Sequence, residues 1–269
     1  MIDPPAGPAT FEQFLDSGQV PVWLAQVLST LYEEQDPGTA AEWGRRIVEQ
    51  APGTGQLPFA VVHDWQAHTV VPLMGAAEQS DPAELSDRAA GLRRMHARAA
   101  AGERFGEAEW RSAIEPVLRE LYRNAYGYAE AYATAHASAS AYASANNFSP
   151  DGAVRFADSY AADSTAANRD SFAESNAVAN AAMLAAAYAT GDADAYAEAY
   201  PFALVHACAQ ASANRAGPAA DHAEDQAENR AEDTDRAEDT TSDMDRVARR
   251  RAAYARLADG LADSLARLG

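Results

Sequence analysis

The chain contains no lysine; all 21 of its basic residues are arginine. That bias reads as the mark of a GC-rich bacterial genome and not as a functional device. Cysteine is nearly absent too. Cys208 stands alone, so no disulfide can form within the chain, and a reducing compartment is expected. Long apolar runs are missing. The longest, residues 177–189, is built on alanine and interrupted by Asn180, which falls short of the roughly 20 apolar residues that span a bilayer. Residues 1–5 carry neither the basic nor the apolar stretch of a secretory signal. The expectation is a cytoplasmic protein with no membrane partner.

Positive charge is also scarce. Forty acids outweigh the arginines and give a net charge of −19. Nucleic acids and anionic membranes bind through positive charge, so the composition speaks against both as partners. There is no phosphate loop, no Gly-x-Gly-x-x-Gly fingerprint, no Gly-x-Ser-x-Gly elbow and no His-Glu-x-x-His. The common nucleotide-using and hydrolase families are disfavoured, no cofactor is expected, and the reading leans away from an enzyme.

What is present is helical periodicity. Trp23, Val27, Leu28, Leu31 and Tyr32 recur at helix spacing, as do Phe59, Val62 and Trp65, and later Trp110, Ile114, Val117, Leu118 and Leu121. Thr39 with Glu42 reads as a capping box, Ser149-Pro150 as a cap followed by a first-turn proline, and Pro72 as a kink or stop. From residue 129 to 145 every odd position is alanine. Strict alternation is nominally a strand signal. The run is far longer than a normal strand of about 5–6 residues, however, and alanine is the best helix former. Helix is the reading adopted, with breaks at Asn146-Asn147 and Gly191-Asp192.

Residues 216–245 are low in complexity, with eleven acids against two arginines. Such a stretch buries too little apolar surface to offset its ordering entropy, and a disordered acidic linker is expected. A last amphipathic helix carries Val247, Tyr254, Leu257, Leu261, Leu265 and Leu268 on one face. Arg246, Arg249, Arg250 and Arg251 crowd its start, where they oppose the helix dipole. Together with the leucine face (Leu257, Leu261, Leu265) they form the candidate binding surface. The helix docks either back onto its own domain or onto a partner.

Candidate chemistry is sparse. Asp64 and His68, four apart on one helix, can hold a metal jointly, but two ligands do not complete a site and no metal is expected. Tyr128, Tyr132 and His136 form one stripe. Tyr196, Tyr200, Leu204 and Cys208 form another, with His206 beside it. If these helices pack face to face, a Tyr/His-lined pocket sits between them and supports acid–base chemistry. Otherwise the tyrosines fill gaps in an alanine core. The segment Ala131-Tyr132-Ala133-Thr134-Ala135-His136 is similar, in composition and across the middle third of the chain, to the all-helical immunity proteins that bacteria pair with secreted toxins. That resemblance implies a protein-binding role and assigns no residues.

The sequence thus predicts an all-α, multi-helix bundle: a flexible N-terminus (1–10), an N-terminal helical part (11–105), an alanine/tyrosine-rich helical bundle (106–215), the linker (216–245) and the terminal helix (246–269). The function expected is recognition of a protein or peptide partner through an acidic helical surface. An enzyme or small-molecule binder built on the Tyr/His pocket is the alternative, and a self-assembling structural protein the second.

Overall fold

The computed structural model describes residues 10–16, 18, 20–50, 57–76, 82–214 and 235–268; for 76, 82–86 and 235–242 the backbone alone is considered. Residues 1–9, most of the predicted flexible N-terminus, and 216–234, most of the predicted linker, lie outside the described residues. The protein is all-α, and no strand occurs among the described residues. None of the described helices is long and apolar enough to cross a membrane.

The N-terminal layer is α1 (Phe11–Asp16), α2 (Val22–Glu33) and α3 (Pro37–Gln50). Trp23, Leu24, Val27, Leu28 and Leu31 line the buried face of α2, the apolar stripe that a 3.6-residue period creates. The helix α3 begins at Pro37 rather than at Thr39, because proline's fixed φ suits a first turn.

Next comes one continuous rod: α4 (Ala60–Trp65), a wide π-helical turn (Gln66–Val70) and α5 (Val71–Ala76). Pro72 neither stops nor ends it. Proline has no N–H for the carbonyl four residues back, and its ring crowds that carbonyl. The helix answers by widening, so that the Val71 N–H bonds to the Gln66 carbonyl five residues back.

The helix α6 (Pro82–Ala100) ends just before Gly102, whose φ of 95° suits glycine. Then follow α7 (Glu107–Ala125), α8 (Tyr128–Ala145) and α9 (Pro150–Thr190). The alternating segment is helical, and the burial pattern says why. Ala131, Ala135, Ala139 and Ala143 are buried while the alanines between them face solvent. Burial at every fourth residue is a helix seam; a strand buries every second. Ser149 caps α9 by accepting from the Gly152 N–H, and Gly191, at φ 67°, closes it.

The short α10 (Ala193–Glu198) and α11 (Pro201–Asn214) lead to α12 (Asp235–Leu268). The terminal helix therefore starts at Asp235, not at Arg246, and residues 235–245 are its first turns and not linker. This removes the conflict with the dipole, since Arg246, Arg249, Arg250 and Arg251 lie beyond the first turn of the helix.

The helix α12 docks in cis as a central core element. Tyr254, Leu257, Leu261 and Leu265 are buried, whereas Val247 and Leu268 at its ends are exposed. Two tryptophans clamp it. Trp43 Nε1 donates to the Ala258 carbonyl at 2.9 Å, and Trp65 Nε1 to the Leu257 carbonyl at 3.1 Å. One buried cluster joins residues of α2, α3, α4, α7, α9, α11 and α12, so the N-terminal part and the inner alanine-rich part share a core.

Candidate functional site

Of the two predicted tyrosine stripes, one forms and one breaks. Tyr128, Tyr132 and His136 do stack along α8, with ring centroids 6.4 and 6.2 Å apart. The stripe lies on the outer flank of the helix, and His136 Nε2 meets Asp158 of α9 at 3.2 Å. Tyr196 is fully buried and accepts from Gln66 Nε2 at 3.2 Å. Tyr200, four residues on, is 54% exposed. The reason is local: α10 ends at Glu198, and Tyr200 sits at a left-handed φ of 52°, so helical spacing does not run between them.

The Tyr128–His136 stripe and the Tyr196–Tyr200 stripe do not face each other across a shared pocket; His206 lines a cleft that the start of α8 borders through Ala129 and Glu130. The alanine seam of α8 packs along α9, while α11 packs against α7 and α12. His206 is thereby separated from His136. Cys208 is buried and its thiol is pushed up to about 12 by burial, so it is an inert packing residue at neutral pH.

Nor do Asp64 and His68 present an open ligand pair. Asp64 Oδ1 lies 3.2 Å from His68 Nδ1, and Oδ2 takes Arg267 at 2.5 Å. They tie the end of α12 to α4. No group of three or more metal-binding side chains occurs among the described residues.

The arginines of α12 divide their work. Arg249 caps α11 by donating to the Ala213 carbonyl at 3.0 and 3.2 Å. Arg250 donates to both oxygens of Glu34 at 3.0 Å, and Arg251 meets Asp36 at 3.1 Å. Arg246 has no ion-pair partner among the described residues. It lines the same cleft, of about 760 Å³, bounded by α7, α11 and α12, with Ala129 and Glu130 at the start of α8 and Phe172 of α9 also on its lining. Tyr122, Tyr126 and Phe172 wall this cleft; His206, Arg250 and Tyr254 stand at its polar end. There His206 Nδ1 and the Tyr254 hydroxyl share a 2.5 Å hydrogen bond. Burial lowers the His206 pKa, which keeps the imidazole neutral near pH 7.

The outer hairpin is the second exposed feature. Beyond the main core, α8 and the first half of α9 are held by alanine on alanine: Ala131, Ala135, Ala139 and Ala143 with Ala157 and Ala161. Small residues let the backbones approach but bury little area. Aromatic rings displaced from the seam gather near the Asn146-Asn147 turn. Phe156 is flanked by Tyr142 at 5.7 Å, Phe148 at 5.4 Å and Tyr160 at 6.2 Å. Tyr142 is 57%, Phe148 43% and Tyr160 46% exposed, with Val154 at 57% beside them. Asp151, Asp158 and Asp163 are exposed on the same arm, with Arg155 the cation among them.

A third cluster is buried. His63 of α4 and His96 of α6 meet Nδ1 to Nδ1 at 3.1 Å. Trp110 stacks on His63 at 5.4 Å, and Tyr188 stands edge-on to His96 at 4.9 Å. A side cavity of about 190 Å³ adjoins Phe59, His63, Trp110 and Tyr188. Neither histidine stood out in the sequence, although His96 carries a signal: it follows Leu92 by one helical turn on the apolar face of α6. The tip aromatics were visible only as scattered rings.

No family model, curated protein or solved structure matches the chain.

Proposed function

We propose that the protein is a non-catalytic binding protein, of a regulator or immunity type, that docks a protein partner on the tip of the α8–α9 hairpin. The observation that carries this reading is the exposed ring cluster of Tyr142, Phe148, Phe156 and Tyr160. Contiguous exposed aromatics cost solubility and commonly mark a recognition surface, and rings that already pack on one another lose little entropy on binding. The partner is a different protein, because a net charge of −19 opposes close approach of a second copy. It presents an apolar recess with a basic rim, complementary to Asp151, Asp158 and Asp163.

This moves the binding surface from where the sequence put it. Leu257, Leu261 and Leu265 are buried in cis, and three of the four arginines beside them are engaged internally. The test uses the full-length chain as bait, identifies the retained protein, and titrates the purified pair. The double change Tyr142→Ser with Phe148→Ser is expected to weaken the complex by about tenfold or more, and added salt to weaken it further. A complex indifferent to the tip changes, a chain that retains nothing, or self-association through the tip in sedimentation each overturns the reading.

A further inference from the structure

We infer that the cleft bounded by α7, α11 and α12 is a binding site for a small organic monoanion, a carboxylate or sulfonate carried on an aromatic body. At about 760 Å³ it has the size of a small-molecule site, and it has the composition of one as well: apolar walls with a few polar groups at one end. Tyr126 and Phe172 form a tilted pair with centroids 4.7 Å apart, a ready face for a planar ring.

The charge selects the ligand class. Arg246 and Arg250 are the cations on the cleft lining. Arg249, Arg250 and Arg251 each hold a named partner. Arg246 has none among the described residues and lines the cleft. Arg250 stands beside it with its charge matched by Glu34 and lies 5.7 Å over the Tyr254 ring. A guanidinium carries five donors, so Arg250 still has N–H groups to offer. Glu130 also lines the cleft, so the net positive charge there is small: a single negative charge bonded by Arg246 is accommodated, and polyphosphates are repelled. The His206–Tyr254 pair closes the polar end as a neutral hydrogen-bonding unit.

The experiment titrates the full-length protein with anilinonaphthalene sulfonate, followed by fluorescence and calorimetry. Saturable binding of one dye per chain is expected, with displacement by phenylbutyrate but not by its neutral amide or by ATP. Arg246→Gln should weaken the dye by about tenfold, as for loss of one charged hydrogen bond. Ala129→Trp, at an exposed lip position, should fill the cleft and abolish binding. Arg251→Gln lies outside the cleft and should leave affinity unchanged. Absence of saturable binding, or binding that survives both Arg246→Gln and Ala129→Trp, overturns the inference; the latter result places the dye elsewhere, for instance on the hairpin tip.

Discussion

His63 and His96, from different helices, face each other Nδ1 to Nδ1 at 3.1 Å inside a wall of aromatic rings. One ring nitrogen donates and the other accepts, so the pair satisfies itself only while the accepting imidazole is neutral. Burial enforces this. It lowers His63 to about 4, and His96 well below its usual value, with the neighbouring His63 adding to the effect.

The consequence is acid lability with a defined sign. In the unfolded chain both imidazoles take up protons near pH 6.5. Below that pH the unfolded state binds more protons than the folded one, so stability falls as pH drops. The contribution is complete above pH ~6.5 and is lost progressively towards pH ~4. His63 alone accounts for on the order of 3 kcal/mol over that window. Urea midpoints measured across it should show this slope. The double change His63→Phe with His96→Phe should flatten it, and an unchanged slope would assign the acid lability to other groups.

The terminal helix is a core element and not a detachable tether, and this too is measurable. Leu261 is fully buried on α12. Leu261→Ala should cost about 2–5 kcal/mol, as deletion of a packed leucine does. Trp65→Phe should cost about 1 kcal/mol for the lost hydrogen bond to the Leu257 carbonyl. Removal of 246–269 should unfold the bundle, seen as lost helicity by circular dichroism. A truncated chain that keeps a cooperative melt would show that the helix only decorates the surface.

The alanine hairpin should open before the bundle does. Its seam consists of alanines and Thr165 and buries little apolar area per residue, and residues 131–161 lie outside the main core cluster. Amide exchange in α8 should therefore exceed that in α7, whose Trp110, Ile114 and Leu118 are buried. Ala139→Leu, at a position 4% exposed, should overpack the seam and destabilise the arm by about 1–3 kcal/mol without shifting the main melt. Equal protection in α7 and α8 would contradict this.

The elements were legible in the sequence because they follow from local rules. Trp110 to Leu121 declared a helix by period, Ser149-Pro150 a start, and Gly191 a stop. The site was less legible, because it depends on which faces meet. Tyr196 and Tyr200 share a spacing but not a helix, since α10 ends at Glu198 and Tyr200 itself takes a left-handed φ. The arginines beyond residue 245 looked like a surface cluster until Glu34, Asp36 and the Ala213 carbonyl arrived from distant segments. Alanine at every second position concealed a seam at every fourth, and only packing against α9 selects which alanines are buried.

Gly260 gives the sharpest test of how α12 is seated. In a free helix Gly→Ala is stabilising by about 1 kcal/mol. Here a Cβ at position 260 would lie 2.6 Å from the Thr69 Cβ, far inside van der Waals contact. Thr69 belongs to the π-helical turn (Gln66–Val70), where the backbone is widened by Pro72, so the glycine and the wide turn are fitted to each other. Gly260→Ala should therefore destabilise the protein, by about 1–3 kcal/mol as overpacking does, measured as a lowered melting temperature. Thr69→Ala in the same chain should recover only part of the loss, because the conflict with the Thr69 Cβ remains. A Gly260→Ala protein that melts higher than the parent would mean that α12 stands farther from the π turn than this packing requires.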